Sequence, residues 1–224
     1  MIPIRDSQPH YTRPIMTTAI VALNVLVFAY QLTLDEMTSN DFVYAFGLVP
    51  DRFHLSNWPV LITSMFMHGG WLHLIGNMLF LWVLGDNIED ILGHGRFLLF
   101  YLACGVAAGL LQYAVNPDSR VPMIGASGAI AGVMGAYLIK FPHARIETVF
   151  WFVVIFYAEI PAWLMLVYWF ALQFLNGFGS VVQAHANRGG TAWFAHIGGF
   201  LAGMFLISVM RQRDRYRLRR DLTW

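Results

Sequence analysis

A serine and a histidine lie in two apolar, glycine-containing segments that are far apart in the sequence. Ser127 is part of GASGAIAGVMGAY, and His196 is part of AHIGGFLAGM. A neutral imidazole within hydrogen-bonding reach of a serine hydroxyl can act as a general base and make it a nucleophile. Because ionisable groups are costly to place in a membrane, they are candidate functional residues by default. The pair predicts nucleophilic catalysis.

Small residues recur at helical spacing around both candidates. They are Ala131 and Gly135 on the face of Ser127, Gly128 and Gly132 on the neighbouring stripe, and Gly199 and Gly203 on the face of His196. Small residues let membrane helices approach closely, and packing of the two faces would bring the hydroxyl to the imidazole. A purely structural role stays open for either residue taken alone, since such patterns usually serve packing.

A third segment, HGGWLHLIGNMLFLWVLGDNIED, supplies His68, His73 and Asn77. His73 and Asn77 are four residues apart and therefore project from one face of a helix. Both side chains carry N–H donors, which stabilise the oxyanion of a tetrahedral intermediate. Zinc binding is the alternative, but the spacing of His68 and His73 suits one helical face poorly and the segment lacks cysteine. We therefore predict neither a metal nor another cofactor.

The composition excludes an ordinary soluble domain. Hydrophobic residues make up 58% and charged residues 12% of the 224 residues, with a mean hydropathy of +0.56. The length suits one compact bundle. The N-terminal residues do not resemble a cleavable signal, so we expect the first apolar segment to remain in the protein.

Six apolar stretches are candidate membrane spans, because a helix needs about 20 residues to cross a bilayer. They cover approximately 15–34, 60–84, 96–115, 123–140, 160–177 and 192–210. The run at 149–158 is too short to cross, and Pro161 separates it from the fifth span. We interpret it as an interfacial or half-inserted segment, with a seventh span as the alternative. The predicted fold is an all-α, six-span membrane bundle.

The distribution of basic residues predicts the orientation. With six spans, 11 of the 14 Lys and Arg residues lie on one side, six of them in the tail after residue 210. The positive-inside rule places this side, and both termini, in the cytoplasm. The predicted division is a cytoplasmic arm at 1–14, the membrane domain at 15–210 and a basic cytoplasmic tail at 211–224. The tail is expected to contact anionic lipid and not nucleic acid.

The motifs together resemble those of the rhomboid family. HGGWLHLIGN matches HxxxxHxxxN, GASG matches GxSG and AHIGG matches AHxxG, in the family's order and over approximately residues 58–206. The resemblance implies an intramembrane serine protease of the six-span prokaryotic form that works through a Ser–His dyad. This minimal form predicts a prokaryotic cell (inner) membrane, and the orientation predicted above places Ser127 near the outer end of the fourth span, so that the active site opens to the outer side.

The resemblance implies a role for each matched residue. Ser127 would be the nucleophile, and His196 the general base and then acid. His73, Asn77 and the backbone N–H of Ser127 would form the oxyanion hole. His68, Gly125, Gly128, Gly199 and Gly203 would have supporting roles. The loop at 35–59 lacks the tryptophan–arginine pair of some members, and we assign no such role to Arg52 and Trp58.

The expected substrates are single-span membrane proteins, and the resemblance implies small residues at their cleavage site. Water would enter beneath a polar loop that contains Gln183, His185, Asn187, Arg188, Gly189 and Gly190. The resemblance implies that substrate enters between spans two and five, near Trp82 or Phe80 and Trp169 or Phe170. Two other functions remain: a non-catalytic rhomboid-like factor that binds membrane proteins, and a transporter. A non-catalytic factor of this kind usually lacks the serine or the histidine, whereas both are present here. A transporter would have acidic residues at mid-depth, whereas here the acidic residues lie at span ends and in loops.

Overall fold

Helices form most of the chain in the computed structural model, which describes residues 2–9, 11–151, 155–182 and 192–213. The helices found there are α1 (Ile15–Gln31), α2 (Glu36–Phe46), α3 (Val60–Thr63), α4 (Trp71–Leu92), α5 (His94–Val115), α6 (Ser127–Lys140), α7 (Ala162–Val182) and α8 (Trp193–Val209). In this order, α1 and α4 to α8 fall on the six apolar stretches. The mostly helical architecture is therefore confirmed.

The predicted second span, 60–84, is not one helix. Its first part contains α3 and a 3-10 turn (Ser64–Phe66), and α4 begins only at Trp71. Gly69 and Gly70 separate the two parts, and glycine is a poor helix former. The loop at 35–59 also contains α2, which begins where the Asp35 carboxylate accepts a hydrogen bond from the Thr38 backbone N–H at 3.0 Å.

A small antiparallel sheet corrects the all-α prediction. Its strands are β1 (Ile2–Asp6), β2 (Arg145–Trp151) and β3 (Ile155–Pro161), in the order β1-β2-β3. The described residues of the run at 149–158 therefore belong to two paired strands and not to a helix, which contradicts the alternative of a seventh helical span. Aromatic and β-branched residues dominate this run, and such residues favour strands. A short apolar run does not distinguish a strand from a helix until its pairing partner is known.

A polar cluster of Asn87, Glu89 and Asp90, in the last turns of α4, holds chain segments together at one end of the bundle. The fully buried Glu89 carboxylate accepts hydrogen bonds from the Met16 and Thr17 backbone N–H groups, both at 2.8 Å, and so caps α1. The other contacts are Glu89 to His94, Asp90 to Tyr11, Thr12 and Arg213, and Asn87 to Asp6, whose carboxylate also accepts from the Tyr137 hydroxyl. The segments at 6–17, 87–94 and 213 thus meet at one end.

Helices α6 and α8 pack backbone against backbone. A Cβ placed on Gly199 would lie 1.9 Å from the carbonyl oxygen of Gly128, and one on Gly203 would lie 1.9 Å from that of Gly132. Cβ atoms cannot approach an oxygen this closely, so only glycine permits the observed separation of the two helices. This contact fixes the relative position of the two helices that carry Ser127 and His196.

Only one described helix, α5, is by itself long and apolar enough to cross a membrane. Four shorter apolar helices accompany it: Ile15–Gln31, Ser127–Lys140, Ala162–Gly177 and Trp193–Val209. Helix α4 has a suitable length, but Asp86, Glu89 and Asp90 lie in its last turns. The count of six spans therefore stays a prediction.

The glycine contact yields a stability prediction. We expect Gly199→Ala to destabilise the protein by about 1–3 kcal/mol, because the methyl group must push α8 away from α6. Gly95→Ala is the matched control, since a Cβ at Gly95 on α5 meets nothing within 4 Å. Unfolding followed by circular dichroism in detergent measures the difference, and equal stability of the two variants would contradict the prediction.

Candidate active site

The structure brings Ser127 and His196 together at the start of two helices. Ser127 is the first residue of α6, and His196 lies in the first turn of α8. The Ser127 Oγ and the His196 Nε2 are 2.8 Å apart, which is hydrogen-bonding distance. Ser127 is half-buried, whereas His196 is 8% exposed. This is the arrangement in which an imidazole can accept a proton from a serine hydroxyl.

The position of Ser127 at the start of α6 also leaves its backbone N–H available as a hydrogen-bond donor. The first N–H groups of an α-helix have no acceptor within the helix, and the helix dipole makes this end partly positive. A serine at the first helical position therefore has an available N–H next to its hydroxyl. Negative charge that develops on a carbonyl oxygen attacked by Ser127 would be stabilised there.

His73 and Asn77 lie next to the backbone of Gly125, two residues before Ser127. Gly125 has φ +122°, a value that favours glycine, and a Cβ on it would lie 2.8 Å from the His73 Nε2 and 3.7 Å from the Asn77 Nδ2. The Gly69 N–H donates to the His73 Nδ1 at a long distance of 3.5 Å, which leaves Nε2 as the donor. Two side-chain donors thus surround the turn that leads into Ser127.

The His68 side chain contacts the Asn77 amide group. The His68 ring is almost fully buried, and its Nε2 lies 2.9 Å from the Asn77 Nδ2. The backbone of His68 is itself held by Gln31 of α1, which bonds both its N–H and its carbonyl. With one Asn77 N–H donated to His68, the amide keeps a second N–H for another acceptor.

Gln173 on α7 completes the surroundings of His196, and it was not among the site residues predicted from the sequence. Its Oε1 lies 2.7 Å from the His196 Nδ1, and the side chain is 6% exposed. The available signal was a single polar residue in the apolar run YWFALQFL, which is a functional candidate by the same reasoning that selected His196. The Trp169 ring, one turn earlier, lies 5.4 Å from the imidazole, centroid to centroid.

A cavity of about 590 Å³ opens beside these residues. Its lining includes His73, Asn77, Phe80, Ser127, Trp169 and His196. Among the residues considered for substrate entry, Phe80 and Trp169 thus border the cavity, whereas Trp82 is 52% exposed and Phe170 packs on Phe200 at 4.6 Å. The polar loop at 183–190 lies outside the described residues. Within the described part of the chain, no group of three or more His, Cys, Asp or Glu side chains is arranged to hold a metal ion.

Comparison with known proteins finds similarity to rhomboid proteins. Residues 55–213 match the Rhomboid domain family. The chain is 31% identical to "Rhomboid protease GluP" of Bacillus subtilis, over 88% of this chain and 35% of that protein. It is 31% identical to "RHOMBOID-like protein 5" of Arabidopsis thaliana over 70% and 45%, and 34% identical to human "Presenilin-associated rhomboid-like protein, mitochondrial" over 59% and 35%. The chain spans between a third and a half of the length of these curated relatives.

The geometry predicts an activated serine. We expect a fluorophosphonate probe to label Ser127, and His196→Ala to slow labelling by about 100-fold or more, since it removes the base. In-gel fluorescence of the detergent-purified protein measures the rate. His143→Ala, which changes an exposed histidine, is the control. Undiminished labelling of His196→Ala would show that this imidazole does not activate the serine.

Proposed function

The chain belongs to the rhomboid family, and on that basis we propose that it is an intramembrane serine endopeptidase with Ser127 as nucleophile and His196 as general base. The observation that carries the proposal is the 2.8 Å contact between Ser127 Oγ and His196 Nε2 beside the cavity. The relative named a rhomboid protease, at 31% identity over 88% of this chain, supports the same activity.

The proposed reaction proceeds through an acyl-enzyme. The Ser127 Oγ attacks the carbonyl carbon of the scissile peptide bond while its proton passes to the His196 Nε2. The tetrahedral intermediate collapses, the C–N bond breaks, and the imidazolium returns the proton to the leaving amine. Water, activated by the same imidazole, then hydrolyses the ester and frees Ser127.

The oxyanion of the intermediate would be stabilised by three donors. They are the backbone N–H of Ser127, the Nε2–H of His73 and the N–H of Asn77 that His68 does not use. These donors are fixed by the fold before substrate binds, so little reorganisation is needed as the charge develops. The supporting role proposed for His68 is to orient Asn77, and that of Gly125 is to let His73 approach. Gly128, Gly199 and Gly203 would keep α6 and α8 close.

The proposed membrane arrangement has six spans formed by α1, α4, α5, α6, α7 and α8. Thr12 of the N-terminal arm and Arg213 after α8 both contact Asp90 in the polar cluster. Both ends of the membrane domain therefore lie on the same side, which supports an even number of crossings. The excess of Lys and Arg on this side favours the cytoplasm. We propose a prokaryotic cell (inner) membrane, with the arm at 1–14 and the tail from 211 cytoplasmic and Ser127 near the outer side.

Single-span membrane proteins are the proposed substrates. A helix hides its carbonyl groups in hydrogen bonds, so the scissile segment must unwind before Ser127 attacks it. The cavity between Phe80 of α4 and Trp169 of α7 supports lateral entry at this gap. A non-catalytic, protein-binding rhomboid-like factor is the alternative, and the hydrogen-bonded Ser127–His196 pair disfavours it.

A cleavage assay tests the activity. We expect the purified protein in liposomes to cleave a single-span reporter, and Ser127→Ala to abolish cleavage because the nucleophile is lost. Ser208→Ala, which removes an exposed hydroxyl that donates to the Met204 carbonyl of its own helix, is the control. Product bands on gels measure the rate. Equal cleavage by wild type and Ser127→Ala would refute the proposal.

A second experiment tests the oxyanion hole. We expect His73→Ala and Asn77→Ala each to reduce kcat by roughly 10- to 1000-fold, since each removes one donor. The double variant should lose less than the product of the two effects, because the Ser127 N–H remains. Steady-state kinetics on the same reporter measure kcat, and a wild-type value in the double variant would exclude both residues from catalysis.

A further inference from the structure

Gln173 makes two hydrogen bonds that together determine its orientation. Its Nε2 donates to the backbone carbonyl of Trp169, at 3.3 Å, and its Oε1 faces the His196 Nδ1, at 2.7 Å. An amide side chain can be turned over, exchanging its oxygen and nitrogen. A backbone carbonyl only accepts, however, so the Trp169 oxygen must face the NH₂ group. The Oε1 therefore faces the imidazole.

This orientation fixes the proton on His196. An amide oxygen only accepts, so the His196 Nδ1 must carry the hydrogen that it receives. The neutral imidazole then has its lone pair on Nε2, where the Ser127 Oγ lies 2.8 Å away. With the other tautomer, Nε2–H would point at the hydroxyl and the ring could not take its proton.

We propose that Gln173 is a positioning residue, which selects the Nδ1–H tautomer of His196 and so keeps Nε2 free to accept the Ser127 proton. Its effect on catalysis rests on the function proposed above. A neutral amide orients the ring as a carboxylate would, without placing a charge in an apolar bundle. The Trp169 ring, 5.4 Å from the imidazole, restricts its tilt from the same helix. Helix α7 thus contributes both constraints on the base.

Two readouts test the proposal. Nitrogen-15 NMR of histidine-labelled protein reports the tautomer of His196, assigned by comparison with His196→Ala. We expect Nδ1–H in the wild type, and a gain of Nε2–H in Gln173→Met, which has similar size but no acceptor. On the single-span reporter, kcat of Gln173→Met should fall on the order of 10- to 100-fold with KM unchanged, as for loss of one buried hydrogen bond.

A rescue variant distinguishes a positioning role of Gln173 from a role in packing alone. Gln173→Glu keeps an acceptor oxygen at the same place, and a protonated carboxyl group can also donate to the Trp169 carbonyl. We expect it to restore the Nδ1–H tautomer and most of kcat. Gln173→Asn keeps the amide but is one methylene too short, so it should behave like Gln173→Met and serves where the methionine variant does not fold. Gln212→Met, which changes a glutamine just after the end of α8 and far from the site, is the control.

Two results would overturn the role proposed for Gln173. Gln173→Met with wild-type tautomer and kcat would overturn the proposal, as would Gln173→Glu that is as impaired in both readouts as Gln173→Met. Failure of the proposed function is distinguishable, because it appears as the absence of Ser127-dependent cleavage in the wild type. The NMR comparison still decides the tautomer in that case.

Discussion

The backbone contact between α6 and α8 is the constraint on which the rest of the site depends. Gly199 and Gly203 lie so close to the Gly128 and Gly132 carbonyl oxygens that no Cβ can be accommodated. Without the hydrophobic effect between helices in a membrane, such close packing is a main source of helix association. The same contact sets the first turns of both helices side by side, so Ser127 and His196 meet within hydrogen-bonding distance.

Helix α8 is held from a second side, whereas α7 borders the cavity. Gln112 of α5 accepts a hydrogen bond from the Ala195 N–H, one of the free donors at the start of α8, and a Cβ on Gly198 would meet Leu111 at 2.9 Å. The His196 backbone is thus fixed by α5 and α6. Its imidazole contacts Gln173 and Trp169 of α7, the helix that lines the entry gap proposed for substrate.

Polar groups are concentrated at the two ends of the bundle, with different consequences. At the site, donors such as His73 remain directed into the cavity. At the opposite end, Glu89 and Asp90 are buried and fully engaged by backbone N–H groups, His94 and Arg213. A buried carboxylate is tolerated only with such partners. This cluster connects the start of α1 to α4, α5 and the segment after α8, so it stabilises the fold far from the candidate active site.

The sequence by itself determined the family, most of the helical stretches and the candidates Ser127, His196, His73 and Asn77, because motif spacing and apolar periodicity are local properties of the chain. It did not determine that Arg145–Trp151 pairs with both Ile2–Asp6 and Ile155–Pro161, since the pairing with Ile2–Asp6 joins residues that are far apart in the sequence. Nor did it identify Gln173, whose only local signal is its polarity. Which polar residue faces an imidazole is decided by the packing of α7 against α8, and only the tertiary structure contains that distance.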